Sequence, residues 1–470
     1  MLFRSLMDDI DTSSEDTETA DTETADTETV DTETTDTETA DTETVDTETA
    51  DTETADTETV DTETADTETA DTETEPLGDA VYVSAVGSAI NDGLSPDSPV
   101  DTLALGIFVA VANARDRVLV AAGDYNIDSS VEMANGVDVL GGYATDFSTR
   151  NPAVHVSAIT DVRYNPGFDL WAVVFPSSLT VTTVIEGFTI RSGQAYWGES
   201  AGNMTCAVEV ESSFAVVRGN RLLGALTGYN RCGVYVVNAS PLLEGNVVTL
   251  REEGASSNRG FTVSGNSSPI IRNNAVTALH ANYNAAIMIG WETNESPVPV
   301  IQNNTLYSGG SPDSDCYDFG IAIRNRTFPI IENNILVMKN NERNLGWAIE
   351  ERNDANPTSI RNNAFYNWPH LYSDVATSTY HSNINNAATT TGGAADSVSG
   401  NVVDDPLLVD MDNDDLHLQL LSPLDIRGGG RDLSADFLND LGGFVRTSST
   451  PEGATNPGAA GWSMGAYEID

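Results

Sequence analysis

The stretch SGGSPDSDCYDFG (308–320) places three acids, Asp313, Asp315 and Asp318, close together in sequence. Glycoside hydrolysis needs two carboxylates roughly 5–10 Å apart across one sugar linkage. These three are therefore the candidate catalytic residues, and Glu350 with Glu351 could supply another pair. The plainer alternative is a solvated acidic loop on an acidic chain. A second acidic run, VDMDNDDLHL (409–418), alternates Asp410, Asp412 and Asp414, a pattern that can turn oxygens toward a hard cation such as calcium. Asp415 stands where a calcium loop of the EF-hand kind wants glycine, and no glutamate follows at the required distance. No cofactor is otherwise required. The five histidines (His155, His280, His370, His381 and His417) carry no motif, and none forms a catalytic pair with a cysteine.

A binding surface is the other chemistry the residues offer. If Val and Ile alternate inward along a repeated strand, then Glu209, Tyr235, Thr262, Met288, Ala322 and Ala348 form one outward strip. Trp291, Glu292, Arg324, Arg326, Glu350 and Glu351 follow just past it. Aromatic faces beside charged groups hold sugar rings by apolar stacking plus hydrogen bonds. Tyr235, Trp291, Arg324 and Glu350 are the candidate contacts for a polysaccharide or surface glycan. An ordinary polar exterior is the alternative. The net charge of −52 with a single lysine, Lys339, excludes a nucleic-acid partner, which needs a basic surface. No run of eighteen apolar residues offers a transmembrane helix.

These residues must be held by a scaffold, and the scaffold is written in asparagines. FAVVRGNRLL, SPLLEGNVV, SPIIRNNAV, PVIQNNTLY, PIIENNILV and TSIRNNAFY share one grammar. The last residue of each Gly-Asn or Asn-Asn pair is Asn220, Asn246, Asn274, Asn304, Asn334 and Asn363, at intervals of 26, 28, 30, 30 and 29. A fixed period of this size signals a solenoid. Pro241, Pro269, Pro299 and Pro329 lie five residues before the asparagine and mark a corner. Gly or Asn precedes it, the two residues that most readily take a left-handed backbone, so a sharp bend is expected there. The following Asn can then stack on its equivalent one coil away, about 4.8 Å distant, and form an amide ladder. Residues 16–75 differ entirely: twelve copies of DTETA or a close variant, without an aromatic or a base. Such a stretch cannot offset its ordering entropy and reads as a disordered acidic stalk. The preceding 1–15, MLFRSLMDDIDTSSE, is too short and too soon acidic for a secretory signal.

Three short strands per turn joined by bends describe an all-β chain, a right-handed parallel β-helix. At this point the sequence resembles the pectin-lyase-like β-helix superfamily, in its bacterial surface-protein branch. VYVSAVGSAINDGLSPDSPVDTLALGIFVAVANA (81–114) is similar to that branch's DUF1565-like opening segment, with a capping helix near 102–113. VIEGFTIRSG (184–193) resembles a strand-turn-strand of such coils. DDPLLVDMDNDDLHLQLLSPLDIRGGG with SMGAYEID resembles its ending. The resemblance implies a β-helix over 76–401, a closing segment over 402–470, and an extracellular or cell-surface location. It implies no single function, because the scaffold hosts lyases, hydrolases, adhesins and spacers. The GHG and NTDG settings of the related hydrolases are absent, and with one lysine a lyase base would have to be arginine. The reading is therefore a non-enzymatic binding face on an acidic stalk, with a polysaccharide lyase or hydrolase, or a bare spacer, as alternatives. Cys206 and Cys232 precede the opening strands of consecutive coils, close enough when stacked for a disulfide. Export would permit that bond and a reducing compartment would not, so both states stay open.

Overall fold

A computed structural model describes residues 79–165, 168–195, 203–290, 298–310, 317–339, 345–375, 379–384, 398–446 and 461–468. The 1–15 segment and the acidic repeat 16–75 lie outside them. The described chain is a parallel β-helix. Each coil gives one strand to each of three long sheets, of eleven strands (sheet 1), ten strands (sheet 2) and ten strands (sheet 3). All pairings within the coils are parallel and follow chain order; the antiparallel pair of His370–Asp374 with Thr379–His381 ends sheet 3.

The interior explains why these short strands hold. In sheet 1, Val217, Leu243, Ile271, Ile301 and Ile331 stack in register, one per coil. Sheet 2 contributes Leu222, Val248, Val276, Leu306 and Leu336. Sheet 3 contributes Val234, Phe261, Ile287, Ile321 and Ile349. All are fully buried in one cluster, and each is worth roughly 1.5–3 kcal/mol of burial. Helix α1 (Leu103–Ala112) is capped by the Thr102 hydroxyl, which accepts from the Leu105 amide. It buries Leu103, Gly106, Ile107 and Ala110, packing against the first two strands of sheet 1.

At the corner between sheets 1 and 2 the two asparagines of each repeat divide the labour. The bend position takes positive φ whether it is Gly219, Gly245, Asn273, Asn303, Asn333 or Asn362. The second asparagine points inward, and each amide donates to the side-chain oxygen of the next: Asn246 to Asn274 at 3.0 Å, Asn274 to Asn304 at 2.9 Å, Asn304 to Asn334 at 2.9 Å. The ladder runs one rung further than the fixed period suggests, to Asn401, because 38 residues separate that rung from Asn363. The first asparagine of each Asn-Asn pair does something else. Its amide donates outward to a backbone carbonyl of the C-terminal segment: Asn273 to Asn439, Asn303 to Ser463, Asn333 to Arg431 and Asn362 to Gly429.

The C-terminal segment therefore runs back along the flank of the β-helix; it does not simply close its end. Val402–Val403 is the last strand of sheet 2. Beyond it Leu408, Leu416, Leu418, Ile426, Met464 and Tyr467 cover Leu279, Tyr307, Ile335 and Val337 on the outside of that sheet. Coils bent by Gly219 and Gly245 lack the clamping amide, and an open groove of about 640 Å³ remains between them and residues 434–441. Among the described residues no helix is long and apolar enough to cross a membrane.

Candidate binding face

Sheet 3 positions its outward residues by an irregularity that repeats in every coil. Two consecutive residues turn inward, a small one and a large one: Gly233 and Val234, Gly260 and Phe261, Gly320 and Ile321, Ala348 and Ile349. The small member must be small. A Cβ at Gly260 would stand 2.4 Å from the Ala286 carbonyl oxygen, and one at Gly320 would stand 2.6 Å from that of Ala348. This corrects the expected strip. GIAI and GWAI look equivalent in sequence, but Phe319 pairs with Trp347 and Ala322 with Glu350. Ala348 thus belongs to the core, and the strip reads Glu209, Tyr235, Thr262, Met288, Ala322 and Glu350. A second correction concerns exposure: Thr262, Met288, Ala322 and Glu350 are buried, so the strip's middle is not an open surface.

A parallel outward row carries Trp171, Cys206, Cys232, Arg259, Ala285, Phe319, Trp347 and His370 in register. Cys206 and Cys232 are joined as a disulfide with Cα atoms 4.5 Å apart. Trp171 stacks on Tyr235 over it, ring centroids 5.4 Å apart and planes within 5°. Further along, Tyr317, Phe319 and Trp347 stack with centroids 5.6–6.4 Å apart.

Charge gathers beside these rings. Glu350 is bonded on both oxygens, by Arg324 and by Arg352, whose Nε donates at 2.8 Å. Arg324 also donates to the Tyr283 hydroxyl at 3.0 Å and lies over the Phe319 ring. Burial alone would lower the Arg324 pKa, but Tyr283 and Glu350 outweigh it and raise it, so this guanidinium stays cationic. Arg259 lies on the other side of this cluster, 5.6 Å from the Tyr283 ring centroid, and burial pushes it down to about 10. It too is cationic at neutral pH. Two arginines therefore pair with one glutamate on a chain of net charge −52, and Arg259 shares the Tyr283 ring with Arg324. Planar guanidiniums of this kind recognise carboxylate and sulfate groups through paired N–H donors. Gly290 supports Arg324 from behind. It holds φ +74°, and a Cβ there would stand 2.1 Å from the Arg324 carbonyl oxygen. Gly290→Ala should therefore displace Arg324 and lower the melting temperature by several degrees in a thermal scan.

At the far end of the face Glu209 sits beside Tyr235 on the neighbouring strand. Burial first, then the charges of Glu211 and Asp169, push its carboxyl up to about 7. A carboxyl of that pKa can hold and release a proton near neutrality.

The other candidates fall in various places. Trp291, Asp313 and Asp315, with Glu292 and Cys316, lie outside the described residues. Asp318 is fully buried and accepts from the Asn284 amide at 2.8 Å. Glu350 is buried too and acts by fixing two arginines. Asp410, Asp412 and Asp414 diverge: Asp410 accepts from Asn413, Asp412 pairs with Lys339, and Asp414 pairs with Arg251. Among the described residues no group of three His, Cys, Asp or Glu side chains is arranged to hold a metal ion. Sequence reasoning missed Trp171, Arg259 and Arg352. Aligning the glycines of RCGVYV and NRGFTV would have put Arg259 in the row of Cys232.

No family model matches the chain. No curated protein matches it either. Among solved structures the chain is similar to pectate lyase Pel9A at 12% identity, over 83% of this chain and 96% of that one, with a TM-score of 0.45. A likeness of that degree transfers no residue and no activity, and the β-helix rests on its own register.

Proposed function

We propose that this protein binds an anionic polysaccharide, of the uronate-bearing kind, along the outer face of sheet 3, at the cell surface or outside the cell, with the acidic repeat as its spacer. The observation that carries the reading is the pair Arg324 and Arg352 held on Glu350, on the same face as the half-buried, stacked rings of Trp171 and Tyr235. Rings give apolar stacking to sugar faces and guanidiniums pair with carboxylates. From Tyr235 to Arg324 is three strand spacings, about 14 Å, so one extended chain would bridge the buried middle of the strip to touch both ends. The Cys206–Cys232 disulfide supports an oxidising compartment. A second reading, glycoside hydrolysis on the same face, is favoured by Glu209 and its raised pKa.

A retention and depolymerisation screen of the full chain against uronate-bearing and neutral polysaccharides tests both. Retention without new reducing or unsaturated ends is the expected result. New saturated reducing ends that vanish in Glu209→Gln would replace binding by hydrolysis, unsaturated ends would replace it by lyase elimination, and absence of both retention and cleavage would leave a spacer.

A further inference from the structure

The inward row of sheet 3 that runs through Phe175, Val210, Val236, Val263, Ile289 and Ile323 does not end as it starts. Its next two members, in register on neighbouring strands, are Glu351 and Asp374. They are 3% and 4% exposed. A charge on Glu351 in this apolar interior is desolvated and lies one strand spacing from the Asp374 carboxylate, so ionising Glu351 is costly. Among the described residues one Glu351 oxygen and His381 Nε2 are buried there without a hydrogen-bond partner, and the Tyr372 hydroxyl faces the Glu351 carboxyl. The groups facing Glu351 from the adjoining strands are Tyr372, on the strand of Asp374, and His381, its partner on Thr379–His381. From sheets 1 and 2 the inward side chains at this level are Ile360 and Phe365, both apolar. On its own strand Glu350 turns outward to Arg324 and Arg352. Among the described residues none of the groups facing Glu351 is a fixed cation.

We propose that Glu351, packed one strand spacing from Asp374, is a proton-held lock on the C-terminal end of the β-helix: the last coil is closed while Glu351 keeps its proton and loosens when it gives that proton up. Burial, opposed by the Tyr372 hydroxyl and helped by the charge of Asp374, pushes Glu351 up to about 8, in agreement with the geometry. The sign follows from linkage. The folded coil holds a proton that the unfolded chain releases near its ordinary glutamate value, so stability from this group is full at about pH 4 and lost as pH rises toward 8. One proton released on opening makes the opening constant rise about tenfold per pH unit across that window.

The test is hydrogen exchange of the Leu371–Asp374 amides in the full chain from pH 5.5 to 8.5, corrected for intrinsic rates. The wild type should open about tenfold more per pH unit until the rise levels off near pH 8, and Glu351→Gln should be flat. In Asp374→Asn the rise should level off at a lower pH, because Glu351 has lost a repelling neighbour and ionises more readily in the folded coil. A wild-type profile that is flat, or identical in both variants, would overturn the lock. If Glu351→Gln fails to fold, the shift in Asp374→Asn still decides.

Discussion

Asn304→Ala is expected to cost at least about 4 kcal/mol of unfolding free energy, read as a lower urea midpoint. The Asn304 amide donates to the Ile271 and Gln302 carbonyls and to Asn334, and its oxygen accepts from the Asn274 amide and backbone. Alanine strands the Asn274 backbone N–H in a fully buried corner, at about 1–3 kcal/mol, and removes four further hydrogen bonds worth about 0.5–1.5 kcal/mol each. A solenoid adds a second reason: stability is a sum of neighbour terms, so a fault in the middle weakens the coupling between two halves. Asn401→Ala, at the end of the ladder and partly exposed, should cost much less. Equal losses at the two positions would mean that the ladder is incidental and that the apolar stacks alone hold the coils.

Arg446→Met is expected to free the C-terminal segment while the coils stay folded. The Arg446 side chain is fully buried, pairs with Glu468 at 2.7 Å, and donates to the Asn273 oxygen and to the carbonyls of Ser463, Gly465 and Ala466. Methionine fills part of the space but strands the Glu468 carboxylate, and breaking a buried pair from one side costs about 3–5 kcal/mol. These hydrogen bonds tie the segment to Asn273 and to itself, so removing them should appear as faster proteolysis within 404–446. Resistance to protease equal to the wild type would show that the apolar cover over Tyr307 and Ile335 suffices without Arg446.

The coil was legible because its chemistry is local and periodic. An αL bend and an inward amide must recur each turn, so Asn246, Asn274, Asn304 and Asn334 announce both the period and the corner. The C-terminal flank was not legible: Asn273 meets Asn439 and Arg446 across more than 160 residues, and nothing periodic in 404–468 says where it docks. Yet the docking leaves a trace, since the bend is asparagine where an outward amide clamps that segment and glycine at positions 219 and 245, where no such clamp forms. On the candidate face, alternation placed Tyr235 correctly and failed at Ala348, because the paired inward residues break the two-residue period in every coil. Arg352 escaped notice because its role depends on Glu350, whose outward position is fixed only by the pairing of Ala322 with Glu350.

The most direct test of the proposed face is salt-resolved retention on a uronate polymer, wild type against Arg352→Gln. Arg352 is the partly exposed arginine of the cluster, and Arg324 still pairs with Glu350 when it is changed. Retention of the wild type that weakens with salt, absent on a neutral polymer and reduced about tenfold in Arg352→Gln, is the predicted result. Retention on both polymers alike, unchanged in Arg352→Gln, would contradict an arginine-centred anionic site on sheet 3.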